Sequence, residues 1–275
     1  MFKQRVASAV VMVAVFLALL ASLSATDFSL VIMLVVMVAG WEWANLLKLK
    51  GKEAKVAYMV LLLALLLGAA SGLGLWGEFN FALSEKVSLV AVGLWAVIFL
   101  WIQGYPSSAI LWSPKPLLGL LGLLLLVATW VAVAAITHSE SGQWLLLLAI
   151  LIVVLADCGG YIAGNLFGRH KLAPVVSPGK TWEGFAGGMF LQLLLIAGLI
   201  WYDPQLDPVA LSIIILSVAL YSVLGDLFES MVKRHSGVKD SGQLLPGHGG
   251  VLDRIDGIMA ALPLFALMLP KTSAL

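Results

Sequence analysis

The sequence predicts an all-α polytopic membrane protein of about nine transmembrane helices, with its N-terminus in the cytoplasm and its C-terminus on the outer side. Three observations predict it: the composition, the recurrence of apolar runs of spanning length, and the sidedness of the basic residues. Of 275 residues, 61% are hydrophobic and 11% charged, and the mean hydropathy is +1.05. Lipid is the solvent of such a chain. A net charge of +1 supplies no concentrated basic surface, so nucleic acid is not an expected partner. The single cysteine, Cys158, excludes an intrachain disulfide framework.

Crossing about 30 Å of hydrocarbon takes roughly 20 residues of helix. Runs of that kind lie at 6–24, 28–47, 56–76, 87–103, 117–137, 144–165, 184–202, 209–229 and 251–269. The first follows Lys3 and Arg5 and ends in small residues, the layout of a signal peptide, but its apolar run is long for one and favours a retained span. The second carries Glu42 near its inner end, either a structural hydrogen-bond partner or part of a site. The third, fourth and fifth are plain apolar runs. Tryptophans near span ends, Trp41, Trp43, Trp76, Trp101, Trp112 and Trp144, have the placement of interfacial anchors. The ninth run begins with Asp253, Arg254 and Asp256, and Pro263 is expected to kink it.

The loops set the orientation. With the N-terminus inside, every Lys and Arg of the 16 except Lys86 and Lys271 falls on the cytoplasmic side, while Asp27, Glu78, Glu85, Glu140, Asp203 and Asp207 lie outside. One missed span would invert every later loop, so the asymmetry also supports the odd count. No internal repeat is visible, and no stretch is polar enough for a separate soluble domain. The chain divides into an N-terminal transmembrane region, 1–143, of five spans, a scaffold with candidate homodimer contacts, and a C-terminal transmembrane region, 144–275, of four spans, where a catalytic site, if there is one, is expected. Cytoplasmic loops 166–183 and 230–250 belong to the latter, and a short outer turn brings both to one face.

That face holds the chemistry. Asp226, Glu229, Ser230 and Lys233 recur at i, i+3, i+4 and i+7, one side of a helix end. Asp253 and Asp256, at i and i+3, share a face of the next helix. Carboxylates offered from two helices suit a hard divalent cation such as Mg²⁺, or else they pair with Lys233, Arg234 and Arg254 in a structural network. Ionisable groups at this depth are costly and usually functional. Between the helices the linker carries Gly237, Gly242, Gly247, Gly249 and Gly250 with Lys239 and His248, a composition that cradles phosphate, helped by the helix N-terminus that follows.

Ser177, Lys180 and Thr181, around Pro178 and Gly179, form a second candidate phosphate turn before a helix start, without the spacing of a P-loop. Glu183 there supports the helix N-terminus. Asp157, Tyr161 and Asn165 make a polar stripe on the sixth span, whose Gly159, Gly160 and Gly164 suit close helix packing. Cys158 has no basic neighbour to activate it. His138 and His170 are lone loop histidines, and His235 a solvated one.

The residues from 230 to 256 resemble the motif of the phosphatidate cytidylyltransferase (CDP-diacylglycerol synthase) family: Ser230, then Lys233 and Arg234, Lys239 and Asp240, His248 with Gly249 and Gly250, and finally Asp253, Arg254 and Asp256. The resemblance extends upstream through the 177–184 turn to Asp157, so it covers roughly the C-terminal 120 residues. It implies transfer of the cytidylyl group of CTP to phosphatidate with Mg²⁺, at two cation positions, on the cytoplasmic side of a bacterial-type inner membrane. It implies metal ligation by Asp226, Asp253 and Asp256, and catalysis by these together with Lys233, Arg234 and Arg254. Substrate contacts fall to Asp157, Ser177, Lys180, Thr181, Ser230, Lys239, Asp240, His248, Gly249 and Gly250.

Two other classes compete. An ion-coupled secondary transporter would use Asp157, Asp226 and Glu229, but transporter sites lie near the midplane between repeated halves, and these charges gather at one face. A phosphatidyl transfer enzyme would carry an Asp-Gly-x-x-Ala-Arg pattern. Only its first dipeptide occurs here, at Asp256 and Gly257.

Overall fold

Each expected apolar run is a helix in the computed structural model, which describes residues 2–245, 247 and 249–269, with 2–7 as backbone only. The helices are α1 (Phe2–Ser22), α2 (Ala25–Leu46), α3 (Lys52–Gly72), α4 (Phe81–Gln103), a short α5 (Ala109–Trp112), α6 (Lys115–His138), α7 (Gly142–Phe167), α8 (Trp182–Tyr202), α9 (Pro208–His235) and α10 (Leu252–Met268). Seven of them, α2, α3, α4, α6, α7, α8 and α9, are long and apolar enough to cross a membrane, by length and composition. The chain is therefore an all-α polytopic membrane protein. Among the described residues α10 has 17 residues, and the apolar part of α1, Ser8–Ser22, is shorter still. α10 runs through Pro263 without interruption.

Two differences from the sequence expectation bear on the site. α9 continues past the apolar run at 209–229 to His235, because its polar residues find partners within the protein. The loop before α8 is a small antiparallel hairpin, β1 (Lys171–Ala173) with β2 (Ser177–Thr181). Glu183 clasps its base, accepting from the amides of Arg169 and His170 and from His170 Nδ1 at 2.6 Å. His170 is thus not a lone histidine. His138 stacks on Phe79 with centroids 4.4 Å apart, and the ring of His235 meets Trp112 edge-on at 5.1 Å.

α6 is the most enclosed span, with its apolar residues buried nearly all round. One buried cluster gathers residues of α2, α3, α4, α6, α9 and α10, so the packing joins the two regions divided at residue 143. Trp43 and Trp112 belong to it, fully buried, rather than to the membrane interface. The indole of Trp43 donates to the Leu118 carbonyl at 3.0 Å. Trp41, Trp76 and Trp144 remain exposed as anchors would.

α7 and α8 approach through glycine. A Cβ on Gly159 would stand 2.6 Å from the Gly187 carbonyl oxygen, and one on Gly188 would stand 2.7 Å from that of Ala156. Only residues without side chains permit backbones so close. Gly159→Leu should separate the pair and destabilise the protein by about 1–3 kcal/mol, as overpacking does elsewhere. A thermal melt of the purified variant in detergent checks it, and an unchanged melting temperature refutes it.

Candidate active site

The site lies where the end of α9, the start of α10 and the β1–β2 hairpin converge. α9 supplies Asp226, Glu229, Ser230 and Lys233 on one face, as their spacing predicts. Ser230 Oγ donates to Asp226 Oδ1 at 3.2 Å. Lys233 stands between two carboxylates, with its Nζ 2.5 Å from Glu229 Oε2 and 2.6 Å from Asp253 Oδ1. Glu229 is fully buried, and the side chains of Lys233 and Asp253 are 11% and 6% exposed. Among the described residues Glu229 Oε1 has no hydrogen-bond partner.

Asp253 is the most heavily engaged carboxylate. Besides Lys233 it accepts from the Ser241 amide, from Ser241 Oγ at 2.9 Å and from the Gly250 amide at 2.8 Å. It thereby ties α10 to the linker. Asp256, one helical turn on, accepts from its neighbouring Gly257 amide at 2.8 Å and stands in the electrostatic field of Asp226 and Asp157. Asp157 in turn lies within electrostatic reach of Asp226, Lys180 and Arg254. Acids of three helices thus share one electrostatic neighbourhood, and Asp157, like Tyr161 and Asn165 of the same stripe, is exposed.

The hairpin contributes Lys180, whose Nζ is 2.6 Å from Asp226 Oδ2. Ser177 is part-buried beside it. Thr181 is buried and caps α8, its Oγ1 accepting from the Gly184 amide at 3.1 Å. Arg234 reaches the hairpin through Nε and the Val176 carbonyl at 3.4 Å. Lys239, Asp240 and Arg254 are exposed. In the linker the Leu245 amide donates to the Gly249 carbonyl at 2.9 Å, and Gly249 holds φ +83°. His248, expected to bind substrate, lies outside the described residues.

At the start of α10 the backbone amides expected to help cradle phosphate have partners within the protein. The amides of Gly250, Val251 and Leu252 are already bound by carboxylates, Asp253 for the first and Glu42 for the other two. A phosphate therefore does not find them free. Glu42 and Ser241 are the site residues that patterns in the sequence left undecided or unnoticed. Ser241 carries no spacing signal, and the only hint of Glu42 was an acid inside an apolar run.

No three described His, Cys, Asp or Glu side chains converge tightly enough to hold a metal ion by themselves. Asp226, Asp256 and Asp157 offer only oxygen atoms, the donor type that Mg²⁺ takes when one or two carboxylates and substrate phosphates share it. Basic side chains beside acids at one helix end make a site suited to holding phosphate groups. The comparisons agree: the profile of the cytidylyltransferase family matches residues 3–271, and the chain belongs to that family. It is 41% identical over 286 residues to the phosphatidate cytidylyltransferase of Haemophilus influenzae, covering 97% of this chain and 98% of that one. Identity to the Pseudomonas aeruginosa phosphatidate cytidylyltransferase is 37% over 272 residues, covering 98% and 97%. A Staphylococcus aureus phosphatidate cytidylyltransferase is 50% identical over 134 residues, 48% of this chain and 51% of its own. The transporter reading gains nothing from these matches.

Lys233 holds two buried carboxylates, so removing it leaves uncompensated charge. Lys233→Met should cost about 3–5 kcal/mol of stability, as breaking a buried pair does. Adding Glu229→Leu should recover much of that loss without restoring activity. Melting curves and product assays on the single and double variants check both statements, and a fully stable Lys233→Met would refute the first.

Proposed function

We propose that this chain transfers the cytidylyl group of CTP to phosphatidate, giving CDP-diacylglycerol and pyrophosphate for phospholipid biosynthesis. The observation that carries the proposal is the full-length kinship with phosphatidate cytidylyltransferases in a chain whose Lys180, Lys233, Asp226 and Asp253 meet at one helix end. A phosphatidate oxygen attacks the α-phosphorus of CTP, the bond from that phosphorus to the bridging oxygen breaks, and pyrophosphate leaves with the electron pair. The reaction forms no bond to the protein. Its demands are alignment of two anions and dispersal of the charge that gathers on the leaving group.

Lys180 pairs with Asp226 at 2.6 Å, and incoming triphosphate oxygens compete for that ammonium. An Asp226 carboxylate freed in this way would be open to hold a cation. Asp226 and Asp256, with Asp157 nearby, are the residues that would hold Mg²⁺, which supplies charge neutralisation between the two anionic substrates. Asp253 was a metal ligand by family resemblance. Its engagement with Lys233, Ser241 and Gly250 supports a different part, fixing the linker and the Lys233 ammonium beside the phosphates. Arg234, Lys239 and Arg254, exposed around the same rim, steer and hold phosphate oxygens. Ser177, Thr181, Ser230, Asp240 and Gly249 complete the substrate shell, to which the family resemblance adds His248 and Gly250, the latter with its amide on Asp253.

The lipid's acyl chains stay in the bilayer while its headgroup meets soluble CTP at the cytoplasmic edge of an inner membrane. That placement rests on the basic residues of the inner loops and on nine spans, with the N-terminus inside. The first five spans serve as scaffold, and a homodimer is the proposed assembly.

Purified protein incubated with labelled CTP, phosphatidate and Mg²⁺ should place label in lipid, and chelation should stop it. Unlabelled lipid with active controls would overturn the function. Asp226→Asn should lose on the order of 100-fold or more in kcat, as when charge stabilisation is removed from a transition state, while remaining folded and membrane-inserted. For the orientation, a Cys158→Ala background carrying Lys239→Cys should react with an impermeant thiol reagent only from the cytoplasmic side, and one carrying Gln205→Cys only from the outer side. The reverse pattern would invert the topology.

A further inference from the structure

Glu42 lies on α2, in the N-terminal half of the chain, and is 4% exposed. Its carboxylate meets the linker and α10 across some two hundred residues of sequence. Oε1 accepts from the Val251 amide at 3.1 Å, and Oε2 from the Leu252 amide at 2.7 Å. Ser241 Oγ stands 3.3 Å from Oε2. α10 has no side-chain cap of its own at Val251, so Glu42 caps it from another helix. The first amides of a helix have no intrahelical partner, and a negative group there is favourable.

The linker is shaped to this carboxylate. A Cβ on Gly242 would collide with Glu42 Oε1, and one on Gly250 would collide with Ser241 Oγ and both Glu42 oxygens. Ser241 sits between two acids, with its hydroxyl 2.9 Å from Asp253 Oδ2 and its amide on Asp253 as well. The chain of contacts therefore runs from Glu42 through Ser241 and the Gly250 to Leu252 backbone to Asp253, and from Asp253 to Lys233. Every member is held by the next.

We propose that Glu42 is a positioning residue for the reaction, holding the 241–252 segment, and with it Asp253 and Lys233, in their working arrangement. The proposal rests on the function given above. Glu42 touches no reacting atom; its part is to fix groups that do. Residues that orient ligating or catalytic groups from behind typically cost 10- to 100-fold when changed, because a site about an ångström too loose loses its alignment.

The test uses Glu42→Gln in the full-length purified chain. Glutamine keeps the shape but replaces one acceptor oxygen with a donor facing a backbone N–H. The expected result is a fall in kcat of roughly 10- to 100-fold, with KM for CTP and phosphatidate within about threefold. Hydrogen exchange should quicken in peptides covering 241–252 and stay unchanged in α4 and α6. A kcat within twofold of the parent, or unchanged exchange at 241–252, overturns the proposal. So does a less stable variant whose folded fraction keeps the parental kcat, since that makes Glu42 purely structural. Should Glu42→Gln not fold, Ser241→Ala carries the same two readouts, and its failure to change either overturns the proposal. A parent protein that makes no product refutes the reaction instead, and the exchange comparison still decides whether Glu42 holds the segment.

Discussion

The ammonium of Lys233, shared between Glu229 and Asp253, is the interaction on which the rest of the site depends. Taking a charge out of water costs several kcal/mol even after relaxation, so about that much must be returned by partners placed at short range. Here two carboxylates on different helices flank one ammonium within 2.6 Å. The pairing lets α9 carry charge to His235 without ending in water. It also makes the spacing of α9 and α10 a matter of electrostatics as well as packing. Such a group contributes specificity of arrangement more than net stability, which suits a place where alignment matters.

The same atoms connect outward in two directions. Asp253 gathers the linker, and the linker reaches Glu42 on α2. Asp226, one turn before Glu229 on α9, receives Lys180 from the hairpin at 2.6 Å. The hairpin and the linker, far apart in sequence, are thus tied to one helix end through ion pairs and amide contacts. Two of the cations expected to receive phosphate, Lys180 and Lys233, already rest on acids.

The spans were legible because lipid demands long apolar runs, and the face bearing Asp226, Glu229, Ser230 and Lys233 was legible because helical spacing fixes it. The length of α9 was not. Hydropathy falls at Glu229, while the spacing of Ser230 and Lys233 carries the helix one turn further and only its end at His235 lay beyond both signals. The hairpin at 171–181 escaped for a similar reason, since its clasp by Glu183 joins residues that no periodic pattern relates. Trp43 and Trp112 misled because a tryptophan near a span end looks the same whether it faces headgroups or, as here, packs inside with an indole hydrogen bond or a histidine ring. The crowding of carboxylates on the α10 amides depended on Glu42, an acid whose partners lie at the other end of the chain. Pairwise meetings across long stretches are what one sequence conceals.

The glycine approach between α7 and α8 has a mechanical consequence. Helices that touch through side chains can trade rotamers and slide; two backbones in contact have nothing to repack, so their register is effectively unique. α7 carries Asp157, and α8 grows directly from the strand that carries Lys180. The seam therefore works as a ruler that keeps the acid on α7 in step with the lysine just before α8. Bilayers of different thickness can tilt that unit as a whole, yet the offset between the two charges stays the same.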